Sequence, residues 1–258
     1  MARIRPFALI LPALLLSTAA WGRDDLCVFR KGRFLCDTAH DGGTAEMTFR
    51  FGKAGDIPFL IRLSSHAPAM PCVFRDHHFL CEVLQIPLVV PRDAQPLMGD
   101  VDGDLVDGGQ VDPCFRLGRR WTCQVWDPFV GHRLVSWTFG SGKGTGLLGD
   151  VDGDGIADSC MVQQGRFFCQ RWQSQEGRFI PTTFDLRQER NRLGGGTPLL
   201  GDMDGDGRAD PCLYAHGRLV CGLFPGLSPL TGGKPARTLE IRFGVEGDVP
   251  VLGDVDGE

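Results

Sequence analysis

LLGDVDGDGIADSCMVQQGRFFC, residues 147–169, joins an acidic run to two cysteines separated by eight residues. The same text returns at 199–221 as LLGDMDGDGRADPCLYAHGRLVC. Acids stand at loop positions 1, 3, 5 and 9 in both copies: Asp150, Asp152, Asp154 and Asp158, then Asp202, Asp204, Asp206 and Asp210. Between the cysteines, each copy reads as two short strands around a two-residue turn, Gln164-Gly165 or His216-Gly217.

The cysteine spacing extends over the whole chain. Cys27/Cys36, Cys72/Cys81, Cys114/Cys123, Cys160/Cys169 and Cys212/Cys221 are all C-x8-C. Neighbour pairing is the simplest of the many possible connectivities for such a series. A two-residue turn makes Arg30 and Arg33 a hydrogen-bonded pair. Counting outward, Cys27 and Cys36 fall on a non-hydrogen-bonded pair, where Cα atoms lie about 4.5 Å apart. That distance is near the short limit for a disulfide. Each bridge closes a short loop, with an entropic expectation of about 2–3 kcal/mol.

A second element precedes the hairpins. FGKAGDIPFLIR (51–62) aligns without gaps to FGVEGDVPVLGD (243–254), and FGSGKGTGLLGD (139–150) fits the same frame. Weaker versions lie at 89–100 and 191–202. Gly-Asp steps at Gly99, Gly149, Gly201 and Gly253 are 50, 52 and 52 residues apart. A strand-rich period of this size suits propeller blades, and no long segment has helical periodicity. The expectation is an all-β, five-bladed β-propeller of four-stranded blades. In each unit one strand ends at the Gly-Asp step, two form the hairpin, and one resembles MTFRFG (47–52) or TLEIRFG (238–244). The chain ends on PVLGDVDGE (250–258), half a loop, while RDDLCVFRKGRFLC (23–36) begins with a hairpin that lacks its loop strand. Pairing the C-terminal strand with the N-terminal hairpin would close the ring.

Carboxylates this close repel unless a cation lies between them, and hard oxygen donors suit calcium. The backbone carbonyls of Ile156 and Arg208, at position 7, are the expected fifth protein ligands. Position 12 holds Met161 or Leu213 rather than Glu, so these are inter-strand calcium loops and not EF-hands. The irregular copy at 99–114 keeps Asp100, Asp102 and Asp104 but has four extra residues before Asp112, with Asp107 as a competitor. The copy at 61–72 has Arg62, Ser64, His66 and Met70 in place of acids and should bind no calcium. A split site is expected where the termini meet: Asp254, Asp256 and Glu258 from one end, Asp25 from the other. Two to four structural Ca2+ ions follow.

MARIRPFALILPALLLSTAAWG reads as a secretory signal peptide, with Arg3 and Arg5 before a short apolar run. Cleavage after Gly22 leaves one domain, 23–258, and removes two arginines, so the formal charge goes from −5 to −7. An acidic balance argues against nucleic acid as partner. No apolar stretch is long enough to span a bilayer. Secretion, or display in a periplasm or on a cell surface, is expected, and ten cysteines agree with an oxidising compartment.

On these residues, Phe51-Gly52, Phe139-Gly140, Phe243-Gly244 and the D-x-D-G-D-G-x-x-D loops, the chain resembles the FG-GAP or VCBS repeat family. These are calcium-loop β-propellers that include the integrin α-subunit head. The resemblance covers essentially the whole mature chain and departs in its hairpin disulfides and unit length. About 47 residues per unit is closer to five-bladed lectin propellers such as tachylectin, although no specific tachylectin motif is present. The resemblance implies a binding role on the face that carries the 2–3 and 4–1 connections.

Other chemistry is thin. GSGKGTG (140–146) lacks the G-x-x-x-x-G-K-[ST] frame and reads as a structural turn. The six histidines share no ligand spacing, and no nucleophile–base pair is nominated. Trp126 and Trp172 share a repeat position with Ala39, Leu84 and Phe224, read as packing between blades, with sugar stacking as the alternative. The residue after each hairpin turn is Arg33, His78, Arg120, Arg166 or Arg218. Together they would ring the face opposite the calcium loops, as a surface for an anionic glycan or as plain solubilising charge. The function expected is non-catalytic binding of an extracellular glycan or protein. A polysaccharide hydrolase or lyase is the enzymatic alternative, and a structural envelope component a third.

Overall fold

The computed structural model describes residues 22–64, 67–82, 85–104, 111–127, 129–173, 178–224 and 233–258. The expected leader up to residue 21, and also Ser65, His66, Leu84 and Asp107, lie outside them.

The hairpin turns set the geometry of each blade. Lys31-Gly32, Asp76-His77, Gln164-Gly165 and His216-Gly217 all have positive φ at both central residues, the type I′ signature that matches strand twist. The blade-3 turn has positive φ only at Gly118, as a type II′ turn requires. Each turn fixes the register, so every cysteine faces its partner directly. The bridges formed are Cys27–Cys36, Cys72–Cys81, Cys114–Cys123, Cys160–Cys169 and Cys212–Cys221, with Cα separations of 4.0–4.3 Å. The separation is slightly shorter than the pairing geometry predicts.

Five four-stranded antiparallel sheets result. Blade 1 is β20 (Val249–Gly253), β1 (Asp25–Arg30), β2 (Arg33–Asp37) and β3 (Met47–Arg50). Blade 2 is β4 (Ile57–Ile61), β5 (Met70–Arg75), β6 (His78–Cys81) and β7 (Gln85–Val89). Blade 3 is β8 (Gln95–Gly99), β9 (Asp112–Leu117), β10 (Arg120–Asp127) and β11 (Gly131–Thr138). Blade 4 is β12 (Thr145–Gly149), β13 (Asp158–Gln163), β14 (Arg166–Gln173) and β15 (Arg178–Asp185). Blade 5 is β16 (Thr197–Gly201), β17 (Asp210–Ala215), β18 (Arg218–Leu223) and β19 (Arg237–Arg242). The C-terminal β20 pairs with β1, Asp25 opposite Gly253 and Phe29 opposite Val249, and so closes the ring. A seven-residue helix, α1 (Arg187–Leu193), was not expected from the sequence. It takes the place of the Phe-Gly element between blades 4 and 5, ends on Gly194 with positive φ, and carries a Glu189–Arg192 ion pair.

The core is divided among the blade interfaces. Cys160, Val162 and Phe167 of blade 4 pack with Leu213 and Val220 of blade 5. Leu26 and Val28 of blade 1 meet Tyr214, Leu219 and Ile241 of blade 5, and Phe29 and Phe34 meet Ala69 and Val73 of blade 2. The second strands are therefore buried on both faces, as β1, β13 and β17 show. The bridges belong to this core. Cys123 is buried beside Trp121 and Val125, and Cys221 beside Leu219 and Tyr214.

Around the axis, the inner strands approach so closely that only glycine fits before the loop. A Cβ on Gly99 would lie 2.8 Å from the Leu148 Cβ, and one on Gly253 would lie 2.8 Å from the Leu60 Cβ. Blade 2 has Ile61 at this position, and the β4–β8 junction is the loosest of the five. A second repeated device lies at the opposite end of each blade. The residue after the fourth strand donates its N–H to the hairpin turn: Phe51 to Gly32, Val90 to His77, Phe139 to Arg119, Leu186 to Gly165 and Phe243 to Gly217.

Candidate functional site: the acidic loops and the opposite face

The acidic loops join the first and second strands of their blades. In each, the first aspartate folds the loop around itself. Asp150 Oδ1 and Oδ2 accept N–H bonds from Gly153 (2.6 Å) and Gly155 (2.8 Å). Asp202 does the same with Gly205 (2.7 Å) and Gly207 (2.8 Å). The last aspartate reaches back to the second loop residue: Asp158 to the N–H of Val151 (3.1 Å) and Asp210 to that of Met203 (3.1 Å). Asp154 and Asp206 accept the N–H groups of Ile156 and Arg208, the position-7 residues.

Carboxylate oxygens of Asp150, Asp152 and Asp158 lie within 4.8 Å of one another, as do those of Asp202, Asp204 and Asp206, and of Asp100, Asp102 and Asp104. Asp112, in spite of the four extra residues, takes the last position and accepts the Val101 N–H at 2.9 Å. Burial and the surrounding acids push Asp112, Asp158 and Asp210 up to about 8, and Asp150 up to about 6. Asp152 Oδ1 is buried and accepts no hydrogen bond. Clustered oxygens, one of them orphaned, fit a hard divalent cation, which the loops could hold through these carboxylates. The cysteines are not part of this donor set. Cys36, Cys81, Cys123, Cys169 and Cys221, the second cysteines of the hairpins, are each oxidised with the first, so no thiolate competes for the ion.

The split site is assembled as expected for three of its four acids. Asp25 Oδ2 accepts the Val255 N–H at 2.8 Å and Asp254 Oδ1 accepts the Gly257 N–H at 2.6 Å, the same bonds the continuous loops make. Asp25, Asp254 and Asp256 form one cluster. Glu258 does not join it. Its side chain is exposed and its own N–H is bonded to Asp256.

Three groups that the repeat pattern did not mark belong to these loops. Arg62 Nη2 lies 2.8 Å from Asp254 Oδ2 and 3.8 Å from Asp24, so blade 2 contributes a guanidinium to the split site. Arg171 Nη1 is 3.1 Å from Asp152, and His40 Nε2 is 3.0 Å from Asp25. None repeats from unit to unit, so periodicity could not reveal them. Each loop is also linked to the next. The Ala157 N–H donates to the Asp100 carbonyl, Ala209 to Asp150, and Ala69 to Asp254, all at 2.6 Å. At the termini Asp24 replaces alanine and makes two bonds, N–H to the Asp202 carbonyl (2.7 Å) and Oδ2 from the Asp202 N–H (2.8 Å). Burial raises Asp24 to about 6 against the pull of Arg62.

The opposite end carries the hairpin turns. Arg33, His78 and Arg120 are exposed there. Arg218 is bound to Glu240 at 2.8 Å, and Arg166 lies over the Phe168 ring, 5.5 Å from its centroid. The five occupy equivalent corners but do not form a uniform ring of free charge. Arg30 and Arg75 each bind a loop aspartate, Asp248 and Asp56. GSGKGTG is a structural turn, as read from its frame: Arg116 Nη2 holds the Gly144 carbonyl at 2.8 Å. Trp126 corrects the packing expectation. It is 52% exposed near the end of the β10–β11 hairpin, against His132, because these strands outrun the blade. Phe224, at the same repeat position, does pack, on Phe184; the Trp172 side chain and Leu84 lie outside the described residues.

Among the described residues no helix is long and apolar enough to cross a membrane, and five disulfides fit an oxidising, extracellular environment. No protein-family model matches the chain, and no curated protein matches it in sequence. The protein is a disulfide-bonded five-bladed β-propeller.

Proposed function

We propose that the protein is an exported, calcium-stabilised propeller of the FG-GAP or VCBS type that binds a surface glycan or a protein partner without turning it over. The observation that carries this reading is the link from each loop carbonyl to the next blade's loop, seen at Asp100, Asp150, Asp202 and Asp254. Loops used in this way are joints, and a cation in them would fix blade to blade. Calcium is then structural, and binding is left to the end with the hairpin turns and Phe-Gly loops. Export follows from the disulfides and the leader-like N-terminus.

The test has two parts. Calcium added to EDTA-treated mature protein should raise its melting temperature by about 5 °C or more. An unchanged melting temperature would defeat the calcium reading. A glycan array should then show binding of the calcium-loaded protein to intact glycans, with no product released on long incubation. Product release would replace the binding module with an enzyme.

A further inference from the structure

The cations of the hairpin-turn face differ in what they are bound to. Arg30, Arg75 and Arg218 are each paired with a carboxylate, Asp248, Asp56 and Glu240. Free positive charge collects at the hairpin-turn end of blade 4, in an open cleft of about 570 Å3 bordered by the connection from blade 3 and lined by Lys143, Gln163, Gln164, Arg166, Phe168 and Arg187. Asp185 is the acid beside it. It is committed to Arg187, Nη2 to Oδ2 at 2.7 Å and Nε to Oδ1 at 2.9 Å, and reaches Arg166 only at longer range. Three cations against one carboxylate leave a surplus of two charges. The Arg166 Nε–H is buried and has no acceptor.

The walls are held in place before any ligand arrives. Gln163 Nε2 donates to the Lys143 carbonyl (3.0 Å) and to Ser141 Oγ (2.6 Å). Arg116 holds the next carbonyl, that of Gly144. Gly144 itself is pressed so close that a Cβ would lie 2.4 Å from the Val162 carbonyl oxygen. Lys143 is thereby fixed at the backbone, and it is exposed where it lines the cleft. Phe168 adds a partly exposed aromatic surface below the Arg166 guanidinium.

We infer that this cleft binds the anionic group of an acidic saccharide, with Lys143 and Arg166 meeting the carboxylate or sulfate and Phe168 facing the sugar ring. The inference rests on the binding-module reading and names its site and ligand class. Guanidinium and ammonium groups beside an aromatic wall match a ring that carries charge on one side and C–H bonds on another. The cleft is lined by the β13–β14 hairpin, the β11–β12 connection and the start of α1, not by the free edge of the outer strand β15, so an acidic peptide would gain no main-chain pairing there.

The test is biolayer interferometry on the calcium-loaded mature protein and its K143Q, R166Q and R33Q variants. The probes are a heparin-derived hexasaccharide, hexagalacturonate, a neutral maltohexaose and a hexaglutamate peptide. At least one acidic saccharide should bind, about tenfold more weakly in K143Q and in R166Q, and within about twofold of wild type in R33Q. Binding should weaken as salt is raised. If R166Q melts lower than wild type, K143Q, in an exposed loop, carries the comparison. Equal losses in R33Q and K143Q would mean a diffuse basic face and overturn the cleft. Tighter binding of hexaglutamate, or binding of maltohexaose alone, would overturn the ligand class and leave a binding module standing. Failure of every probe would overturn the cleft, and retained binding to any glycan on the array would show that the broader reading survives it.

Discussion

Deleting residues 250–258 removes all but one residue of β20, the innermost strand of blade 1. Val251 and Val255 are buried and Leu252 packs against the blade-5 cluster. Burying such side chains contributes about 1.5–3 kcal/mol each, so about 4.5–9 kcal/mol is lost with the three. The ladder to β1 goes as well, leaving the second strand of blade 1 without its inner partner. The Ala69 N–H and the Arg62 guanidinium lose Asp254, each contact being worth about 1 kcal/mol or more. The sum approaches the whole stability of a typical domain, about 5–15 kcal/mol. A loss of about 5 kcal/mol alone should lower the melting temperature by about 10–20 °C for a chain of this size. Thermal unfolding of residues 23–249, followed by near-ultraviolet circular dichroism, should show a broad early transition. A synthetic peptide of residues 246–258 should partly restore it. A truncated protein melting within about 3 °C of the intact one would refute the closed-ring account.

Other outcomes follow from the same geometry. Asp112, Asp158 and Asp210 have folded-state values near 8, above those of unfolded carboxylates near 4. Their contribution is therefore fully present below about pH 4 and is lost as pH rises to about 8. In EDTA the protein should melt at least about 5 °C higher at pH 5 than at pH 8, and calcium should narrow or reverse the gap; scanning calorimetry at both pH values checks this. Gly149→Ala puts a Cβ 3.1 Å from both the Leu200 and Ala209 Cβ atoms and should cost about 1–3 kcal/mol by urea denaturation. Arg62→Gln withdraws a cation from Asp254 and Asp24, and should destabilise the metal-free protein while tightening calcium at the split site, read by isothermal titration. Replacing Cys160 and Cys169 with alanine should remove about 2–3 kcal/mol, a drop of about 5–10 °C in melting temperature.

Strand order, register and closure were legible because they rest on local rules repeated five times. A two-residue turn and a C-x8-C spacing leave only one register. Cys27, Cys72, Cys114, Cys160 and Cys212 accordingly stand opposite Cys36, Cys81, Cys123, Cys169 and Cys221. The split loop was legible for the same reason, since Asp25 stands two residues before a cysteine as Asp210 does. What stayed hidden is specific to single blades. Arg62 reads in the sequence as a lost ligand, and only the closed ring brings it to Asp254. The exposure of Trp126 depends on the length of the β10–β11 hairpin, which blade 4 shares in β14–β15 and blades 1, 2 and 5 do not. Glu258 matched a position, yet its side chain stays exposed outside the cluster of Asp25, Asp254 and Asp256.

At the seam, a Cβ on Gly22 would lie 2.7 Å from the Glu258 carbonyl oxygen, so the two ends of the described chain abut. Residues 22–258 thus run close to a circle, with the cut inside one loop. A short linker across that cut, with a new opening in the loop at 202–210, would produce a permuted protein with the same five blades. The loop at the old seam would become continuous and the one at 202–210 would become divided. Calcium titration of the two forms would then compare identical ligand sets with and without a chain joining their halves. The difference measures the effective concentration that chain continuity provides, a quantity set by linker length and not by coordination.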